Sequence, residues 1–159
     1  MVEIKFAPRE VFEQILEWAV IPTFDLVIEY GNKVVIIAKR KIAPYQNQWA
    51  LPGLRMYKGE NIEDTLSRIA SKEVGLVIDA SSRIYLGQYV GKFTTEHERQ
   101  DLSTGFYVKV EEKVPIVLNE EHFSAMKIIS SRADIPKSGI GAMYKFYLNQ
   151  YFDLMDKKH

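Results

Sequence analysis

The segment from Pro52 to Leu76, PGLRMYKGENIEDTLSRIASKEVGL, constrains this chain more than any other. A short strand, Trp49-Ala50-Leu51, runs into a Pro52-Gly53 turn, and a polar loop then leads to a single amphipathic helix. Asn61 is placed to cap that helix, with Asp64 at the reciprocal capping-box position, and Gly75 supplies a C-terminal stop. Ile62, Leu66, Ile69 and Ala70 form its apolar stripe. Charged residues at fixed intervals, Arg55, Glu60, Arg68 and Glu73, surround the stripe. An isolated amphipathic helix would carry such charges as a solvated face. Together with the loop glycine and Gly75 after a strand, they describe a strand-loop-helix unit that presents carboxylate and guanidinium groups to one site.

The rest of the chain supplies elements to hold that unit. Pro8 suits a first helical position, and Val11, Ile15, Leu16 and Ala19 recur at helical spacing, which predicts a helix over residues 8–19. β-Branched runs from Phe24 to Tyr30 and from Lys33 to Lys39, joined at Gly31-Asn32, predict a hairpin. Further strands are predicted near residues 83–91, 104–112 and 125–129. From about Gly139 to Asp156, Ile140, Met143, Tyr144, Tyr147, Leu148, Tyr151 and Met155 predict a terminal helix. Tyr144, Phe146, Tyr147, Tyr151 and Phe152 exceed what one helix usually needs for its own core, which points to a possible homodimer. Strands, a central helix, more strands and a final helix make an α+β architecture, expected as one domain over residues 1–159.

Composition narrows the function classes. Lys and Arg number 21 against 21 Asp and Glu, so no bulk positive field points to nucleic acid. Cysteine is absent, which excludes disulfides, thiolate metal sites and cysteine nucleophiles. Charges begin too early for a signal-peptide core, and no apolar run approaches a membrane span. A cytoplasmic chain without membrane or nucleic-acid partners is therefore expected.

The Pro52–Leu76 segment resembles the Nudix box, G-x5-E-x7-R-E-U-x-E-E-x-G-U with U a bulky aliphatic residue, which binds a divalent metal and a diphosphate. The alignment retains Glu60, Arg68, Glu73, Gly75 and Leu76 but has Leu54, Ile69 and Lys72 where a glycine and two glutamates belong. The resemblance implies a Nudix fold, a mixed β-sheet sandwiched between helices. The missing glutamates are those that help an ordinary Nudix pyrophosphatase activate water against phosphorus.

The chain is also similar, at low identity over most of its length, to the GDP-mannose mannosyl hydrolase branch, which lacks the same glutamates and cuts the sugar C1–O bond. That branch holds one Mg²⁺, for which Mn²⁺ can substitute, through a loop carbonyl, the last box glutamate and a carboxamide before a histidine. The corresponding positions are Gly53, Glu73 and Glu121, followed by His122, with Glu121 a departure from the carboxamide. The resemblance makes His122 the base and Arg40 a contact of the diphosphate, with Arg55 and Arg68 in or behind that shell. It assigns Tyr107 to the leaving group and Asp25 to substrate orientation. Taken alone, Asp25 fits the solvent side of a half-buried strand equally well. Lys92 could meet a phosphate or a sugar hydroxyl, but mannose recognition does not carry over. Glu96, Glu98 and Asp101 could provide metal ligands in a pyrophosphatase version of the site, but read as solvated charges. Three functions follow: a nucleotide-sugar hydrolase acting at carbon, a conventional pyrophosphatase cleaving the P–O–P bridge, and a non-catalytic nucleotide-binding module.

Overall fold

Strand β1 (Val20–Tyr30) is the spine of the structure because both its faces are covered. In this computed structural model, residues 3–31, 35–43, 45–111 and 114–158 are described, without the side chains of residues 35 and 36. Phe24, Leu26 and Ile28 point to one side of β1, while Asp25, Val27 and Glu29 alternate to the other. A near-continuous apolar run is what a strand buried on both faces requires.

The sheet is mixed, with strand order β3-β2-β1-β6-β5. β2 (Val35–Arg40) lies antiparallel to β1, and β3 (Trp49–Ala50) antiparallel to β2. β4 (Gly53–Arg55) also pairs antiparallel with β1, placing Asp25 opposite Gly53. β5 (Ile84–Lys92) forms the far edge on β6 (Gln100–Val110), which runs parallel to β1 from Val20↔Gln100 to Tyr30↔Val110. β7 (Phe123–Ile129) pairs antiparallel with β2.

Helices cover the two faces. Helix α1 (Arg9–Trp18) precedes the sheet. Helix α2 (Ile62–Val74) lays Leu66, Ile69, Ala70 and Val74 against Phe24, Leu26, Ile28, Phe106 and Val108. Helix α3 (Ala142–Lys157) packs Met143, Tyr144, Tyr147, Leu148, Tyr151 and Phe152 against Val27, Ile37, Leu51 and Tyr107. Gly105 permits that approach, since a Cβ there would lie 2.4 Å from the Tyr147 ring.

Several expectations change. The aromatics of α3 fill the chain's own core, so their number does not argue for a dimer. Of the predicted apolar stripe of α1 only Leu16 is buried, while Val11 and Ile15 are 45% and 39% exposed. Ile62, at the start of α2, is likewise exposed. β1 and β6 each begin four residues earlier than predicted, and β4 was not predicted as a strand. The α3 helix starts at Ala142 because Gly139 is left-handed (φ +71°) and Ile140 bridges to Trp49. The Asn32 to Val34 part of the predicted hairpin lies outside the described residues, while the flanking strands pair at Glu29↔Val35. Among the described residues, no helix is long and apolar enough to cross a membrane.

Candidate active site

Helix α2 is fixed at both ends before it presents any functional group. Asn61 Oδ1 accepts from the Asp64 N–H at 2.9 Å, and Asp64 Oδ2 accepts from the Asn61 N–H at 3.0 Å. At the other end Gly75 adopts φ +67°, and a Cβ there would lie 2.8 Å from Val117. Between the ends, Arg68 grips the preceding loop. Its Nε and Nη2 donate to the two oxygens of Glu60 at 2.8 and 2.9 Å, and Nη2 also donates to the Arg55 carbonyl at 2.7 Å. Its guanidinium lies 3.7 Å over the Tyr57 ring, and the backbone N–H of Tyr57 donates to Glu60 Oε1 at 2.7 Å. Burial works against charge on Glu60, but Arg68 and the Tyr57 N–H outweigh it and hold its pKa below the ordinary value. Arg68 and Glu60 thus form a strut between loop and helix.

Arg55 and Tyr57, which that strut holds, border a cavity of about 340 Å³. Thr23 and Asp25 of β1 and Asp101 of β6 line it, as do Gly53, Leu54 and Arg55 of β4. Lys72 and Glu73 contribute from the last turn of α2, with Arg40 and Ile42 at the end of β2 and His122 before β7. Glu73 is fully buried, and both of its oxygens lie close to His122 Nδ1, at 2.9 and 3.1 Å. The segment bearing His122 docks on the end of α2, with the Asn119 N–H donating to the Glu73 carbonyl at 2.9 Å. The Lys41 N–H donates to the His122 carbonyl at 2.7 Å, tying the backbone of His122 to the residue that follows β2.

Asp25 forms part of the floor and is 4% exposed. Ser103 Oγ donates to Asp25 Oδ2 at 2.6 Å and lies 2.8 Å from the Tyr147 hydroxyl. Burial raises the Asp25 pKa to about 7, against the opposing effects of Ser103 and Arg40. The equal alternative for Asp25, a solvent-facing strand position, is therefore wrong. Gly53 must be glycine here, because a Cβ would lie 2.1 Å from Asp25 Oδ1. Arg40 is 9% exposed and donates from Nε to the Ile42 carbonyl at 3.3 Å. Arg55 lies 4.5 Å from the Phe12 ring centroid and 4.8 Å from that of Tyr57, and burial lowers its pKa.

Of the residues singled out in the sequence, Asp25, Arg40, Gly53, Arg55, Glu73 and His122 line one cavity. Arg68, Lys92, Tyr107 and Glu121 do not. Tyr107 shares a face of β6 with Asp101 and Ser103 but lies deeper along the strand, in the α3 core. There it is 2% exposed, meets Tyr151 edge-to-face at 5.1 Å, and has no hydrogen-bond partner for its hydroxyl among the described residues. Lys92 ends β5 with its side chain exposed. Glu121 is exposed, and its N–H donates to Asn119 Oδ1.

Other lining residues were given a different or lesser part by the sequence. Lys72 stood out there only as a missing glutamate, yet its side chain borders the cavity. Asp101, read as solvated, is 7% exposed and ion-paired to Arg99 at 2.6 Å, and burial raises its pKa. Glu96, read the same way, lines the cavity and pairs with Arg99 at 3.2 Å. The alternation Asp101-Leu102-Ser103 within an earlier-starting β6 was the available signal.

The donor set near Glu73 suits a hard cation. Its carboxylate and the Gly53 carbonyl, on residues that both line the cavity, are hard oxygen donors of the kind Mg²⁺ takes. Among the described residues, no group of three or more His, Asp or Glu side chains is arranged to hold a metal ion.

Comparison with known proteins agrees with this architecture. Residues 21–149 match the NUDIX domain family. The chain is 25% identical over 154 residues to the low-salt glycan biosynthesis protein Agl8 of Haloferax volcanii, covering 94% of this chain and 90% of that protein. Its fold is similar to that of a MutT/nudix family protein from Enterococcus faecalis, with TM-score 0.69, 16% identity, and 96% and 76% of the two chains covered. It is also similar to the NUDIX domain of Shewanella oneidensis NrtR, solved with ADP ribose, with TM-score 0.70, 15% identity and 94% of each chain covered. With the box helix, the mixed sheet and the carboxylate-lined pocket in place, the match over residues 21–149 settles the family: the chain belongs to the NUDIX domain family, the family of Nudix hydrolases.

Proposed function

We propose that the protein hydrolyses a nucleoside-diphosphate sugar of the GDP-mannose kind, with water attacking the sugar C1 and His122 as base. One observation carries this: His122 Nδ1 stands 2.9 Å from the buried carboxylate of Glu73 on the wall of the pocket. A carboxylate on Nδ1 favours the tautomer protonated there and leaves Nε2 as a proton acceptor. In the reaction Nε2 takes a proton from water as its oxygen bonds to C1. The C1–O bond breaks with its electron pair moving to the diphosphate, and sugar and nucleoside diphosphate separate.

The other residues follow from charge. Arg40, Arg55 and Lys72 supply positive charge to the diphosphate, and Asp25 orients the sugar. Gly53 and Glu73 would hold one Mg²⁺, or Mn²⁺, which when bound neutralises charge on the departing nucleoside diphosphate. Glu73 has lone pairs enough to accept from His122 and ligate a cation together. A relative named for glycan biosynthesis supports a sugar-bearing substrate. Arg68 acts in this scheme through the loop it holds, and Tyr107 through the packing of α3.

The pyrophosphatase alternative draws on Glu96 and Asp101, which place two further carboxylates in the pocket. Both are engaged by Arg99, which leaves them poorly disposed to collect metals. With Mg²⁺ and a panel of nucleotide sugars, the expected products are free sugar and nucleoside diphosphate. His122→Ala should lower that turnover about 10²- to 10⁴-fold, the usual contribution of a general base, while nucleoside-diphosphate affinity stays within about twofold. Undiminished sugar release by His122→Ala would remove the assigned base. Sugar phosphate and nucleoside monophosphate as products would instead favour the pyrophosphatase.

A further inference from the structure

One wall of the pocket is built with care that the hydrolytic chemistry above does not use. Asp101 Oδ1 accepts from Arg99 Nε at 2.6 Å, and Arg99 Nη1 reaches Glu96 Oε2 at 3.2 Å. All three residues line the pocket, and the side chains of Asp101 and Arg99 are only 10% and 14% exposed. The turn that brings Arg99 back onto β6 runs through Glu96, His97 and Glu98 at φ +54°, +61° and +55°. Left-handed backbone costs a non-glycine residue about 1–2 kcal/mol, so three in succession are held by their surroundings. The Thr95 carbonyl accepts from the Arg99 N–H at 3.2 Å, and the Arg99 carbonyl from the Phe93 N–H at 3.0 Å. Phe93 and Tyr45, edge-to-face at 5.4 Å, complete the wall.

Charge decides what such a wall receives. Within the Glu96–Arg99–Asp101 trio two carboxylates meet one guanidinium, so the trio offers phosphate no net positive charge, and Arg55 beside Arg99 marks where the cationic part of the lining begins. The cations Arg40, Arg55 and Lys72 of the lining attract phosphate. A sugar is the complement. Each hydroxyl both donates and accepts, so neighbouring hydroxyls can donate to a carboxylate and accept from the guanidinium beside it. The aromatic rings offer an apolar surface to the C–H face of the ring. Position agrees, since Asp101 lies on the β6 side of β1 and His122 on the β2–β7 side, with Asp25 on the floor between them.

We propose that Asp101 and Arg99 form the sugar-recognition subsite, reading adjacent hydroxyls of the glycosyl group, with Glu96 holding Arg99 in place. The subsite rests on the nucleotide-sugar reading of this pocket. Its test compares a nucleotide sugar with the bare nucleoside diphosphate, in a His122→Ala background so that substrate survives the titration. GDP-mannose, GDP-glucose and UDP-glucose are titrated by calorimetry alongside GDP and UDP, with Mg²⁺ present. In the parent, the preferred sugar should tighten binding about tenfold or more over its nucleoside diphosphate, as hydrogen bonds to charged groups do. Asp101→Asn should cut that gain to about twofold or less. Arg99→Lys, which keeps the charge and loses the fork, should cut it severalfold and covers the case of a poorly folded Asp101→Asn. The affinity for nucleoside diphosphate should hold within about twofold in both.

Equal losses for sugar-bearing and bare nucleotides would overturn the subsite and move these residues to the nucleoside or phosphates. An unchanged sugar gain in both variants would overturn it outright. If no sugar tightens binding in the parent and the wild-type protein releases none, the nucleotide-sugar function itself fails and takes the subsite with it. A sugar gain abolished by the variants, with phosphorus as the cleavage point in the wild type, would support the subsite and refute only the proposed reaction.

Discussion

At the scale of single residues, Asp25 and Glu60 show how burial and partners set opposite behaviour in two carboxyl groups. Asp25 is desolvated and compensated mainly by one hydroxyl, so its folded pKa rises from 3.8 to about 7. A group raised in the folded state favours folding while protonated and loses that advantage as pH climbs through the folded value. Stability of the metal-free protein should therefore fall between about pH 4 and pH 8 by up to roughly 4 kcal/mol from this group. Asp25→Asn should flatten that slope in chemical denaturation, and an unchanged slope would show that the carboxylate finds compensation elsewhere. Glu60 is the reverse: paired with Arg68, it is held ionised. Glu60→Gln leaves Arg68 part-buried without its counter-charge and should cost about 3 kcal/mol by urea denaturation. A loss below about 1 kcal/mol would mean that the strut is not rigid.

At the scale of elements, the sequence announced those with strong periodicity or end signals. Helix α2 has its capping box at Asn61 and Asp64 and its stop at Gly75, and it forms within a residue of expectation. Helix α3 and the buried run of β1 follow for the same reason. β4 was not legible because three residues carry no period. Its identity depends on Gly53 lying against Asp25, a contact between segments distant in sequence. The site splits along the same line. Glu73 was legible through the spacing of the box and His122 only through the family resemblance, whereas Asp101, Arg99 and Lys72 enter the pocket through strand alternation and chain reversal. Tyr107 lies deeper along β6 than the cavity reaches. Gly53→Ala probes β4 directly. Its Cβ would meet Asp25 Oδ1 at 2.1 Å and the Phe24 carbonyl at 2.8 Å, so the strand must shift. The expected loss is about 1–3 kcal/mol, the usual cost of overpacking, with activity falling further than stability. Wild-type stability and activity would place the β1–β4 contact outside the working structure.

At the scale of the whole molecule, the sheet collects into one cavity groups that lie far apart in sequence. β1 and β6 supply the floor, β4 and α2 supply Gly53, Arg55, Lys72 and Glu73, and the segment before β7 supplies the imidazole. A balanced chain, with 21 basic and 21 acidic residues, thereby brings both signs of charge into one cavity. Lys72 sits where the usual box has a glutamate, which replaces a metal-collecting carboxylate with a cation. Of the four carboxylates that line the pocket, Glu96 and Asp101 are engaged by Arg99 and Asp25 by Ser103, and the proposed reaction accordingly does not ask them to gather metals for attack at phosphorus. The decisive property of the proposed reaction is therefore which atom water attacks. Turnover of GDP-mannose, or of the best substrate in the panel, in ¹⁸O-labelled water decides this by mass spectrometry of both products. The prediction is label on the sugar and an unlabelled nucleoside diphosphate; label on a phosphate would contradict it.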